Sequence, residues 1–269
     1  MNNTLKPIGV FDSGVGGLTA MKVLQEILPN EDIIYFGDTA RVPYGSHSFD
    51  TIRKIALQDL IYLLNQNVKA VLIACGTVSS TAIDLLRFVA EVPIIGVVDA
   101  TASKAVAISE NRKIVVLATQ ATVRSKAYTN AIVHLDRNVH VLEKACPMFV
   151  PLIENGYTNR DNPITKMVVQ DYLKEIVPFG ADTIILGCTH YPLIKDTISD
   201  FIPDVNIVEA GKEAAYRLAE NIKALSLNNK KKHGTRRFVV SEETESFFDI
   251  CERFLGKRIT ELIEVVNLD

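Results

Sequence analysis

No stretch of this 269-residue chain approaches the ~18 consecutive apolar residues that a membrane-spanning helix needs, so a spanning protein is not expected. The start, Met1 to Pro7, is polar and then enters a short apolar run. It lacks the basic-then-apolar order of an export signal, and the expected location is the cytoplasm. Cysteine is scarce. Four residues in a chain of this length do not make a disulfide framework, and a reducing compartment keeps them as thiols. No Cys-x-x-Cys pair occurs, and the five histidines show no ligand-like spacing, so no metal site is expected. Basic charge is not in excess either. With 29 Lys and Arg against 32 Asp and Glu the net charge is -3, which disfavours nucleic acid as a partner. The one basic cluster, Lys230-Lys231-Lys232 with Arg236 and Arg237, reads as a solvated loop. No low-complexity segment stands out.

What is present is alternation. Hydrophobic residues make up 48% and charged residues 23%, enough for one large or two small globular domains. Short apolar runs at 7–11, 32–36, 70–74, 93–97, 113–118, 139–142, 183–186 and 206–208 read as strands. Helical stretches, among them 18–28, 49–65 and 79–89, separate them. The polar stretch 226–237 reads as a loop before a C-terminal α/β element. Near-continuous Val/Ile/Leu strands between helices predict an α/β fold with mostly parallel sheets covered on both faces. Reactive groups in such folds stand at the carboxyl edges of the strands. Asp12, Asp38, Cys75, Thr119 and Cys188 all fall there. Ala70-Val71-Leu72-Ile73-Ala74-Cys75 and Thr183-Ile184-Ile185-Leu186-Gly187-Cys188 share one shape, with Thr77 and Thr189 close behind. They read as two half-sites facing one cleft, or as two buried strands alike by chance.

Each cysteine stands before a helix-like segment, whose free N–H groups and partial positive charge favour a thiolate. An ordinary thiol is only about 3% ionised at pH 7, so such a site has roughly 2 kcal/mol to offset. The bland alternative is a small buried hydrophobe. That alternative is adopted for Cys146 and Cys251. Asp12-Ser13-Gly14-Val15-Gly16-Gly17 is a Gly-rich loop without dinucleotide spacing or a phosphate-loop Lys, so it suits a carboxylate better than a nucleotide. Asp12 also has the plainer reading of a helix cap. His190 can act on the neighbouring thiol, although a lone His is more often structural. Glu154 alone reads as surface charge, and Pro43-Tyr44-Gly45 alone as a turn.

Together these segments resemble the bacterial glutamate racemases. The resemblance is carried by Val10 to Gly17, Gly37 to Gly45, Ile73-Ala74-Cys75, Ala118 to Thr122 and Leu186 to Pro192, in that order. It implies two similar α/β domains, 1–97 plus 208–269 and 98–207, with the substrate in the cleft between them. It further implies racemisation of L- and D-glutamate without pyridoxal phosphate, metal or any other cofactor, supplying D-glutamate for peptidoglycan. By that analogy Cys75 acts on D-glutamate and Cys188 on L-glutamate. Asp12 assists Cys75, and His190 with Glu154 assists Cys188. Asp12, Ser13, Pro43, Tyr44, Gly45, Gly76, Thr77, Thr119, Thr122, Thr189 and His190 would hold the substrate. A small molecule is thus the expected partner, and a homodimer the one protein assembly considered.

The chemistry agrees. A racemase needs acid and base groups on both faces of one carbon, and thiols can be moved to either side of neutrality. Loop N–H groups can stabilise the carbanion. One position departs from the family, which usually carries Asn after the first cysteine where this chain has Gly76. The backbone of Gly76 still lines the expected pocket, and Gly76→Asn is expected to be tolerated. Two other readings remain: a racemase of another acidic amino acid such as aspartate, and an amino-acid binding protein without catalysis.

Overall fold

The computed structural model describes residues 3–230, 232–243 and 247–268. Lys231 of the basic cluster lies outside them. The central apolar runs form strands because they are buried on both faces. Ile8–Asp12 (β1), Ile33–Gly37 (β2) and Ala70–Ile73 (β3) are buried at every residue. Leu18–Ile27 (α1) and Phe49–Asn65 (α2) connect them. The chain then passes Gly76–Thr81 (α3) and Ile83–Val89 (α4) to Ile94–Gly96 (β4) and Val97–Ile108 (α5). The single helix expected over 79–89 is two, broken at Ala82 (φ -124°, ψ -8°). The hydroxyls of Ser80 and Thr81 both donate to the Thr77 carbonyl, and Arg53 Nε donates to the Thr81 carbonyl, so side chains compete with the helical ladder.

A second set follows. Lys113–Ala118 (β5), Gln120–Ser125 (α6), Ala127–Leu135 (α7), His140–Ala145 (β6), Phe149–Glu154 (α8) and Pro163–Leu173 (α9) lead to Thr183–Leu186 (β7). Lys195–Phe201 (α10) and Asn206–Glu209 (β8) complete it. Ala210–Ala224 (α11) then carries the chain back to Arg236–Val240 (β9), Phe247–Leu255 (α12) and Ile263–Val265 (β10). The loop expected over 226–237 therefore ends two residues early, where Arg236 and Arg237 enter β9. There Arg237 pairs both oxygens of Glu264 at 2.8 Å.

The strands make two parallel sheets, ordered β10-β9-β2-β1-β3-β4 and β6-β5-β7-β8. Four consecutive strands of the first, β2-β1-β3-β4, repeat the order of the second. β1 therefore corresponds to β5, β2 to β6 and β3 to β7. The likeness of the two cysteine segments is one part of this duplication, and Cys75 and Cys188 occupy equivalent strand ends. Buried apolar residues from both sheets join through α1, α5 and α11 in one core, with a second core on the α2 face of the larger sheet. No helix among the described residues is long and apolar enough to cross a membrane.

Candidate active site

The carboxyl edges of the two sheets face one cleft of about 340 Å³. Of the residues named from sequence, Ser13, Pro43, Tyr44, Gly45, Cys75, Gly76, Thr77, Thr119, Glu154, Cys188, Thr189 and His190 line it. Asp12 and Thr122 do not; they stand behind residues that do.

Cys75 ends its strand just ahead of α3, whose backbone begins at Gly76. Its sulfur lies 3.2 Å from Ser13 Oγ. The expected lowering of its pKa by the helix terminus is not found. Burial, and then the charge of Asp12, push the thiol up to about 12, against the Ser13 hydroxyl and the Val78 N–H. Cys75 is therefore a proton-bearing thiol at neutral pH. Asp12 caps no helix: Gly17 precedes α1, and the Asp12 carboxylate takes the Gly14 N–H at 3.1 Å. Its other oxygen, Oδ1, makes no hydrogen bond among the described residues. Burial raises the Asp12 pKa, opposed by His190 and by the loop N–H groups of Gly17 and Gly14.

The second half-site is built differently. Cys188 Sγ lies 3.9 Å from His190 Nδ1, and His190 Nε2 lies 2.9 Å from Glu154 Oε1. Burial alone would lower the imidazole pKa. Hydrogen bonds to Cys188 and Glu154 outweigh it and hold the ring up at about 10. The ring is thus a cation at neutral pH, placed beside the Cys188 sulfur. The equivalent strand ends carry a thiol on one side and a sulfur with a cationic partner on the other.

Small residues let the sheets approach. A Cβ on Gly16 would sit 2.2 Å from Thr189 Oγ1 and 2.5 Å from His190 Nδ1. A Cβ on Gly76 would sit 2.1 Å from the Gly187 carbonyl oxygen and 3.9 Å from Cys188 Cα. The expected tolerance of Asn at 76 is thereby reversed, because the obstruction is backbone. Hydroxyls bridge the rest of the seam. Thr77 and Thr119 are 2.9 Å apart, Thr119 and Thr122 3.0 Å, and Ser80 donates to Thr122 at 3.3 Å. Thr122 thus reaches the cleft wall only through Thr119.

Tyr44 touches the cleft, but its hydroxyl is engaged by Asp38 and Asp59, and Arg41 pairs with both carboxylates at 2.7 and 2.6 Å. Burial and then the neighbouring Asp38 push Asp59 up to about 8, so this group holds a proton at neutral pH. Sequence reasoning passed over Asp59 and Arg41. Cys146, read as structural packing, is indeed wholly buried in the core, and it also borders the cleft at the end of β6, the strand equivalent to β2. Burial pushes that thiol up to about 12. Cys251 is wholly buried in α12, as expected. Among the described residues no group of three His, Cys, Asp or Glu could hold a metal ion.

Residues 8–219 match the Asp/Glu/Hydantoin racemase family. The glutamate racemase of Sulfurihydrogenibium sp. (strain YO3AOP1) is 43% identical over 97% of this chain and 98% of its own. The crystal structure of glutamate racemase from Francisella tularensis subsp. tularensis SCHU S4 in complex with D-glutamate superposes with a TM-score of 0.94. It shares 39% identity and covers 99% of both chains. Glutamate racemase isoform RacE1 from Bacillus anthracis gives a TM-score of 0.93 at 32% identity, over 98% of each chain.

Proposed function

The chain belongs to the Asp/Glu/Hydantoin racemase family and is an isomerase, and from that premise we propose that it interconverts L- and D-glutamate by a two-cysteine mechanism. The observation that carries this reading is the pair of sulfurs, one from each repeat, lining one cleft. Cys188, beside cationic His190, takes the α-proton of L-glutamate. The electron pair left on the α-carbon then takes a proton from the Cys75 thiol on the opposite face, giving D-glutamate. The reverse direction exchanges the two roles. The loop N–H groups after Asp12 and the hydroxyls of Ser13, Thr77, Thr119 and Thr189 suit the two substrate carboxylates. Buried Asp12, behind the cleft wall, would assist Cys75 through its charge and through the loop whose Gly14 N–H it holds. Pro43, Tyr44, Gly45 and Gly76 would offer backbone and ring surface.

The same proposal places the enzyme in the cytoplasm, supplying D-glutamate for peptidoglycan, and admits a homodimer that sedimentation would reveal. It divides the chain as expected from sequence, with the second break moved to 209/210 because β8 runs to Glu209.

The test is hydrogen exchange in D2O. Both glutamate enantiomers should racemise with deuterium appearing at the α-carbon. Deuterium with aspartate in place of glutamate would move the substrate assignment, and none with either would leave a binding protein.

The dyad supplies a pH prediction. The imidazolium is the required form, so kcat/KM should fall as pH rises through about 10, where His190 loses its proton. Glu154→Gln removes one of the interactions that raise the ring and should bring this limb down toward an ordinary His value of ~6.5. A pH profile unchanged by the substitution would remove Glu154 from the mechanism.

A further inference from the structure

Helix α12 lies between β9 and β10 of the larger sheet and packs on α1, yet its last turn touches the half-site at the end of the other sheet. Its buried face is Phe247, Cys251, Phe254 and Leu255, spaced as one helical stripe. Phe254 stands edge-on to the His190 ring, with centroids 4.9 Å apart and planes at 81°. It is 3% exposed, so this contact is part of the packed interior. One residue earlier, exposed Arg253 donates from Nη1 to the Glu154 carbonyl oxygen at 2.8 Å. The chain leaves α8 through Gly156 at φ +82°, and a Cβ there would meet the Arg253 guanidinium at 3.1 Å. Consecutive residues of one helix thus hold both members of the His190–Glu154 pair, one by its ring and one by its backbone.

Resting on the two-cysteine reading above, we propose that α12 is a clamp, and that Phe254 and Arg253 are positioning residues which align the His190–Glu154 dyad on Cys188. An imidazole has two soft torsions; Glu154 holds the Nε2 end, while Nδ1 lies 3.3 Å from the Thr189 hydroxyl and 3.9 Å from the Cys188 sulfur, so the ring plane decides which of the two it meets. The edge contact of Phe254 fixes the plane, and with it the direction of Nδ1 toward the Cys188 sulfur. Arg253 fixes the end of α8 from which the Glu154 side chain departs. Because α12 belongs to the opposite sheet, the dyad is complete only while the two sheets are seated together. Alignment of the Cys188 base is thereby tied to closure of the cleft.

The experiment compares Phe254→Ala, Phe254→Leu and Arg253→Ala with the unaltered protein, using L- and D-glutamate. Misalignment of a proton-transfer group should lower kcat by about tenfold in Phe254→Ala, with KM within about twofold. Leu, which refills the space, should recover most of that loss. Arg253→Ala, at an exposed position, should lower kcat by about threefold and decides the matter if Phe254→Ala does not fold. The second readout is independent of turnover. In protein labelled with 15N-histidine, the proton between His190 and Glu154 should give a protected downfield signal. That signal should disappear in Phe254→Ala and return in Phe254→Leu. Unchanged kcat and an unchanged signal in Phe254→Ala and Arg253→Ala would overturn the clamp. A protein that neither racemises nor exchanges deuterium would overturn the racemase reading instead, while the histidine signal still judges the clamp.

Discussion

Cys75→Ala and Cys188→Ala should each reduce racemisation by at least about 10³-fold, and should do so with opposite exchange signatures. Neither sulfur has a substitute within reach: Asp12 lies behind the cleft wall, and His190 approaches Cys188 from one side only. With Cys75 removed, Cys188 can still take the α-proton of L-glutamate and return a solvent deuteron to the same face. Cys75→Ala is therefore expected to label L-glutamate with retention and to leave D-glutamate unlabelled. Cys188→Ala should do the reverse. The two enantiomers have equal free energy in water, so loss of kcat/KM must be the same in both directions, and only the exchange experiment separates the faces. The cost to the fold should be small, since each residue borders an open cleft and Ala keeps the Cβ. A variant that keeps turnover within about tenfold of the unaltered protein would refute the two-base scheme.

Much of this arrangement was legible in the sequence. The central apolar runs specify parallel strands because they must be buried on both faces, and the strand ends then locate the cleft. The duplication showed itself only at β3 and β7, where both copies keep an apolar run ending in Cys. It was hidden at β6 because that strand is an edge. Its residues Glu143 and Lys144 bond to Thr129 and Glu175 rather than packing in a core, so the apolar run stops at Leu142. Carried on to Ala145, the strand would have put Cys146 at a carboxyl edge with the others. The pKa of Cys75 was misjudged for a different reason. A helix terminus can be read from local sequence, but the burial of the thiol and then the charge of Asp12 on another strand, which together raise it, come from tertiary packing. Phe254 and Arg253 gave no signal at all, because what they touch lies 64 and 99 residues away in the chain (254 - 190 and 253 - 154).

Gly76 is the position where local and tertiary readings part most sharply. A glycine in place of a side chain suggests a lost contact, and restoring Asn suggests a gain. The cleft says otherwise. A Cβ at 76 would be 2.1 Å from the Gly187 oxygen, whereas ordinary contact begins near 3.4 Å, so the segments must part by about 1 Å. Neither side yields easily. The Gly187 N–H is bonded to the Leu117 carbonyl at 2.8 Å, and the Ser79 N–H to the Cys75 carbonyl at 2.9 Å. The strain is relieved by hinging the sheets, which spreads the two sulfurs about the substrate carbon. A displacement of that size at the reacting centre costs about 10²-fold in rate, so Gly76→Asn should lower kcat/KM by about that factor. Gly76→Ala should lose nearly as much, since the first carbon is the obstruction. Overpacking of this kind costs the fold about 1–3 kcal/mol, so the protein should still purify folded. Full activity in Gly76→Ala would show that the cleft closes on substrate with a wider seam than this one. Activity in Asn without activity in Ala would show that the amide itself binds.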